Sequence, residues 1–228
     1  MTVLHLADET EAADLAAFLS RLLRYDRGAA VRLQAAGTAL AVFGRPPSFE
    51  VLAVRAVRLA KPYEDGLDVT LDVTVSAGEL LESVDERAAT AAVPAAVTGP
   101  PWAGVLPPRG GWRPEPGLPA ADELRTTVAE CVAEFRSRTQ ELTPELRTRA
   151  ELDRIGRDIW SREVGETRLP VRAVHAAQSL GFLRPGAAAD GTGLYSCGAW
   201  LRLRTPYGSV AVRRTGSGAL GVLGVSVR

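Results

Sequence analysis

The sequence predicts a mixed α+β protein. An N-terminal antiparallel sheet carries helices on one face, and a three-helix segment ending in a β-hairpin follows. Three observations lead there. Leu67, Val69, Leu71, Val73 and Val75 alternate with Asp68, Thr70, Asp72 and Thr74, the period of a half-buried strand. Leu15, Phe18, Leu19, Leu22 and Leu23, and later Leu124, Val128, Cys131, Val132 and Phe135, recur at spacings of three and four, the period of an amphipathic helix. Between the two halves, residues 94–119 contain eight prolines and five glycines, a composition that builds neither element.

Each element follows from local signals. Thr2 to Leu6 reads as a short strand. Asp8 with Glu11 three residues on forms a capping-box pattern that opens the first helix, which should end near Asp26 to Gly28. Residues 29–33 and 40–43 flank a turn at Ala36-Gly37 and read as a hairpin, broken by Pro46-Pro47. A longer strand over 49–59 and the alternating strand over 67–75 complete the sheet. Ser76 and Glu79 cap a second helix running to about Arg87. Residues 1–90 therefore form a sheet domain, and an antiparallel sheet with one covered face suits them.

Residues 91–119 read as a connector. Trp102 and Trp112 imply that it packs on the domains, since free indole rings expose a large apolar area. A proline-rich segment that meets a partner's aromatic groove is the alternative. Residues 120–228 form a helical and hairpin domain. Thr143-Pro144 is expected to start its second helix and Pro170 its third. Gly181 followed by Phe182 fits a left-handed helix stop with its apolar contact. Residues 184–193 read as a Gly/Ala loop, residues 200–204 and 210–214 as a hairpin across Thr205-Pro-Tyr-Gly208, and residues 220–227 as a final strand. No internal repeat is visible.

Composition bounds the function. The chain of 228 residues is 46% hydrophobic and 24% charged, ordinary for a globular protein. Lys61 is the only lysine, and asparagine is absent. That skew reflects a GC-rich genome, so arginine number alone is no sign of nucleic-acid binding. The first residues lack the basic and apolar pattern of a signal peptide, and no apolar run suits a membrane span, so a cytoplasmic location is expected. Cys131 and Cys197 are too few for a disulfide framework.

The stretch Leu106-Pro-Pro-Arg-Gly-Gly-Trp112, followed by helices holding Glu134-Phe135-Arg136 and residues 152–160, resembles an actinobacterial family of cytoplasmic proteins of unknown function. The resemblance implies no activity and no site residues.

Charge carries the main functional signal. Net charge is zero overall, yet residues 168–228 hold eight arginines against one acid, Asp190. A helix followed by a hairpin is also the order of a winged helix-turn-helix. On that reading the third helix is the recognition helix, with Arg168 and Arg172 near its N-terminus. Arg202, Arg204, Arg213 and Arg214 lie on the wing, where clustered cations neutralise phosphates. The leading expectation is thus a non-enzymatic binding or regulatory protein contacting nucleic acid through these six arginines. A protein-interaction scaffold, using the connector with Trp102 and Trp112 or a sheet edge, is the second reading. An enzyme without a recognisable site is the third.

Other motifs are weak. Gly216 to Gly221 matches a dinucleotide string but lacks the strand–turn–helix setting. Asp68 and Asp72 share one strand face, too few oxygens for a divalent cation. His5 and His175 have no ligand-spaced partners, and a Cys197–His175 dyad would need the fold to bring the two together. No cofactor, metal site or catalytic residue is expected.

Overall fold

A computed structural model describes residues 2–60, 71–185 and 191–214. The elements are β1 (Val3–His5), α1 (Glu9–Tyr25), β2 (Ala30–Ala36), β3 (Ala39–Gly44), β4 (Leu52–Arg58), β5 (Asp72–Ser76), α2 (Ala77–Glu82), β6 (Val84–Asp85) and β7 (Thr90–Ala92). They continue with β8 (Arg113–Glu115), α3 (Ala121–Gln140), α4 (Arg149–Trp160), α5 (Val171–Ser179), β9 (Gly193–Cys197), β10 (Trp200–Thr205) and β11 (Gly208–Arg213). The mixed class, the antiparallel pairing and the C-terminal hairpin are those the sequence predicts.

The strands form two sheets, a small one of order β1-β7-β6 and a large one of order β5-β2-β3-β4-β11-β10-β9-β8. The large sheet joins the halves: Ser209, Val210 and Ala211 of β11 pair with Val54, Ala53 and Leu52 of β4. Read outward from that pair, both directions give a three-strand meander preceded by a helix, α1 on one side and α5 on the other, and an edge strand beyond it. Phe18 of α1 and Phe182 just after α5 stack at 5.6 Å between ring centroids. This approximate twofold of topology was invisible as a sequence repeat.

The pleat sends one set of side chains to the helices and the other outward. Leu33, Val42, Ala53, Val210, Leu201 and Leu203 belong to the main core, together with Leu15, Phe18, Leu19 and Leu22 of α1 and Val174 and Ala177 of α5. The outer face is covered over its middle by the connector. Val97 N–H donates to the Thr74 carbonyl at 2.9 Å, and Arg32 donates to the Ala103 carbonyl. Trp102 and Leu106 pack on Phe43, Leu52 and Val54. Farther along, Trp112 lies under Arg202, and β8 pairs with β9 at the far edge. The connector is therefore a strap from one sheet edge to the other, packed on both halves.

Local signals hold where they act alone. Asp8 accepts from Glu11 N–H at 2.9 Å. Gly181 has φ +77°, and the bonds Phe182 N–H to Ala177 O and Gly181 N–H to Gln178 O complete the helix stop. Other expectations need correcting. The second helix of the C-terminal half starts at Arg149 with Thr148 as its cap, because residues 143–147 close a separate turn on the Thr143 carbonyl. α2 stops at Glu82, and β6 and β7 follow, their two or three residues being too short to show a period. The Gly/Ala loop gives way at Gly193 to β9. The winged-helix expectation is also corrected. The hairpin β10–β11 does not project as a wing, because β9 and β4 flank it within the sheet. Residues 67–70, the 216–221 glycine string and the strand expected over 220–227 lie outside the described residues.

Candidate functional site

The end of the C-terminal meander brings basic side chains together. Trp200, Arg202 and Arg204 alternate with buried Leu201, Leu203 and Thr205 along β10, and the register sets Trp200 opposite Arg213. At this end of the sheet the 198–199 turn, the last residues of β11 and the loop entering α5 surround a cleft of about 450 Å³. Arg168, Arg172, Arg213 and Arg214 line it, and among the described residues that line it Glu163 is the only carboxylate. Pro170, Leu201 and Val212 lie behind its wall and are themselves buried.

Four of the six sequence-predicted arginines thus meet at one place. Arg168, Arg213 and Arg214 are exposed. Arg213 shares the outer face with its cross-strand partner Trp200, its guanidinium 5.3 Å from that ring's centroid, and Arg214 donates to the Gly198 carbonyl. Arg172 is mostly buried, with 20% of its side chain exposed. Its nearest carboxylate, Glu50, stands 3.9 Å away, and its Nε has no acceptor among the described residues. The first turn of α5 holds no acidic residue, and Pro170 at its cap position offers no side-chain bond. The first N–H of that helix, on Val171, already donates to the Arg162 carbonyl at 2.8 Å, and Glu163 is bridged to Pro170 beside it.

The other two arginines sit elsewhere. Arg202 is half-buried on the outer face, where its Nε donates to Ser209 Oγ at 2.9 Å and its guanidinium lies 5.7 Å from the Trp112 ring centroid. Burial, and then the like charge of Arg204, hold its pKa below the ordinary arginine value. Arg204 is exposed on the same face. Apart from Arg172, none of the six has a carboxylate within 4 Å among the described residues. The acidic N-terminal half pairs instead with its own Arg55 and Arg58 and with Arg184.

The two tryptophans face inward. Trp102 caps the small outer cluster on β3 and β4, and Trp112 Nε1 donates to the Pro108 carbonyl at 2.9 Å. Exposed large apolar residues such as Val3, Tyr25, Val105 and Leu146 come from distant parts of the chain. His175 and Cys197 do not meet. His175 packs between Phe49 and Trp160 in the helical layer, whereas Cys197 approaches the strap at the Gly110 carbonyl, 3.5 Å away. Among the described residues no group of three or more His, Cys, Asp or Glu side chains is placed to hold a metal ion, and no helix is long and apolar enough to cross a membrane.

The fold and site define a mixed α+β protein whose continuous eight-stranded sheet carries a basic cleft at one end. Residues 1–104 match a domain of unknown function, DUF8010, and residues 107–217 match a second, DUF8185. No curated protein matches the chain. Among solved structures, a DNA polymerase sliding clamp from Pseudomonas aeruginosa, solved with a ligand, is similar at 13% identity and a TM-score of 0.45. That match covers 95% of this chain and 66% of the clamp chain.

Proposed function

We propose that this is a binding protein whose C-terminal half contacts nucleic acid, with the cleft of Arg168, Arg172, Arg213 and Arg214 as the phosphate-contacting element. One observation carries the reading: four arginines converge on an open concavity, and only Arg172 has a carboxylate within 4 Å among the described residues. Guanidinium groups form strong, often bidentate hydrogen bonds to phosphate oxygens. Concentrated without neutralising acids, they also attract an anionic ligand. Arg202 has a smaller part in this reading, since Ser209 and Trp112 already engage it. A cytoplasmic location comes with the proposal.

Fluorescence anisotropy of a labelled duplex, titrated with protein at several salt concentrations, tests it. Binding should weaken steeply with salt, and the double variant R213A/R214A should lower the slope of log K against log salt by about 2. Absence of binding at low salt would remove the nucleic-acid reading. An unchanged slope in the variant would move the contact away from the cleft.

A further inference from the structure

The outer face of the C-terminal meander carries groups that the cleft does not use. The registers of β9, β10 and β11 fix their layout. Trp200 stands opposite Cys197 on one side and Arg213 on the other. Arg202 stands opposite Tyr195, and Arg204 opposite Gly193. Directly paired residues share a face of the sheet. Trp200, Tyr195, Arg202, Arg204 and Arg213 therefore point away from the helices, while Leu201 and Leu203 between them are buried in the main core.

Rings and cations are interleaved on this face. The Arg213 guanidinium lies 5.3 Å from the Trp200 centroid. Arg202 is held in place by Ser209 Oγ and by the Trp112 ring. A Cβ on Gly193 would meet the Tyr195 ring at 3.1 Å, so that ring leans over Gly193, next to Arg204. Trp200 and Tyr195 are partly exposed, and Arg204 and Arg213 are exposed. The three strands contain no Asp or Glu. Among the described residues none of the three arginines has a carboxylate within 4 Å, and the charge that acts on Arg202 is the like charge of Arg204.

We infer that this face binds single-stranded nucleic acid, with bases stacked on Trp200 and Tyr195 and phosphates paired with Arg202, Arg204 and Arg213. The inference rests on the nucleic-acid reading above and names the type of strand and the face that receives it. Trp200 and Tyr195 are diagonal neighbours on adjacent strands. Such residues are about 7–8 Å apart, wider than the roughly 3.4 Å rise of a stacked strand. Bases that reach both rings must be unstacked, which a single strand allows and a duplex does not. Each nucleotide also brings one π-face and one phosphate, which suits rings set among cations. An acidic peptide would satisfy the arginines and leave the rings without a stacking partner.

The test titrates the protein with oligo(dT), oligo(rU), a labelled duplex and poly-glutamate, reading tryptophan fluorescence and anisotropy. Single strands are expected to quench the fluorescence and to bind with a salt slope that R204A lowers by about 0.7. W200L and Y195L keep apolar bulk on the sheet. Each should weaken single-strand binding about tenfold and leave duplex binding unchanged, and W200L should also remove most of the quenching. The urea midpoint of each variant separates lost folding from lost contact. R149A on α4, whose side chain is 93% exposed, is the control for a general loss of positive charge.

Ring-dependent binding of single strands supports the inference, and the tighter of oligo(dT) and oligo(rU) identifies the preferred sugar. Single-strand binding without duplex binding supports it too, and overturns the cleft as the phosphate-contacting element. Single strands bound no better than duplex, with W200L and Y195L at wild-type affinity, overturn the inference and leave the nucleic-acid reading standing. Displacement of the strands by poly-glutamate at equal charge overturns it in favour of an acidic protein. No binding of any nucleic acid overturns both.

Discussion

Arg55 projects from β4 into the helical side of the sheet, where its side chain is 6% exposed. Its Nη1 donates to the Tyr207 carbonyl at 2.7 Å, and its Nη2 reaches Glu11 at 3.0 Å and Asp14 at 3.2 Å. Arg184 also holds Asp14, at 2.6 Å. Arg55 thereby ties α1 to the β10–β11 turn, one half of the chain to the other. Removing one partner from such a network strands charge away from water, so R55M should cost about 3 kcal/mol, read from the shift in a urea unfolding curve. A loss below about 1 kcal/mol would mean that water already solvates Glu11 and Asp14. His175, in edge contact with Phe49 at 5.1 Å and tilted on Trp160 at 4.7 Å, behaves differently. Burial pushes its imidazole below the ordinary value. The unfolded chain therefore takes up this proton first as pH falls. The stability that a neutral His175 allows is complete above the ordinary histidine value and is lost as pH drops from there through the lower folded value. H175F, which keeps an aromatic ring between the two neighbours, should flatten the stability profile between about pH 7 and pH 5. An unchanged profile would assign that pH dependence to other groups.

At the scale of elements, the strap shows how composition misleads about role. Its prolines and glycines suggest a spacer. In the fold it shields an apolar row, Phe43, Leu52 and Val54, that the sheet would otherwise expose. Trp102 is the largest side chain packed on that row, so W102A should destabilise by about 2 kcal/mol, visible as a lower urea midpoint. The same variant should leave nucleic-acid affinity unchanged, because the ring lies on the outer face away from the cleft. A folded W102A protein that loses binding would return the strap to the interaction surface. The β10–β11 hairpin has its own constraint. A Cβ on Gly208 would sit 2.6 Å from the Phe182 ring, and Phe182 closes the stop of α5. G208A should therefore displace the ring and lower the melting temperature, with the aromatic near-ultraviolet signal changing as well. A wild-type signal would show that the ring moves without loss.

For the whole molecule, the pairing of β4 with β11 decides cooperativity. The segment matching one family contributes β4 and the segment matching the other contributes β11. Separated fragments would each expose a long strand edge, an unpaired row of backbone groups. The main core also draws on both segments without a break. We therefore expect the intact chain to unfold in one transition by calorimetry, with calorimetric and van't Hoff enthalpies in agreement. Fragments 1–104 and 107–228 should be unstable alone and should recover the native spectrum on mixing. Two separate transitions would mean that the halves are independent domains meeting at one pair of strands.

The sequence by itself determined what depends on neighbours within a few residues. Asp8 before Glu11, Gly181 before Phe182 and the alternation along β10 each act through local bonds or a fixed pleat, so the helix starts, the helix stop and the hairpin could be read directly. It also picked out the basic residues, because charge is a property of composition. Only the tertiary structure decided which of those residues meet. Arg168 and Arg172 come near Arg214 because α5 packs against β11, while Arg213 lies with Trp200 on the face that also carries Arg202 and Arg204. Only the tertiary structure turned the hairpin from a wing into the middle of a sheet, since the partner of β11 is β4, more than 150 residues earlier. That pairing depends on shape and burial between distant segments, which no local period records.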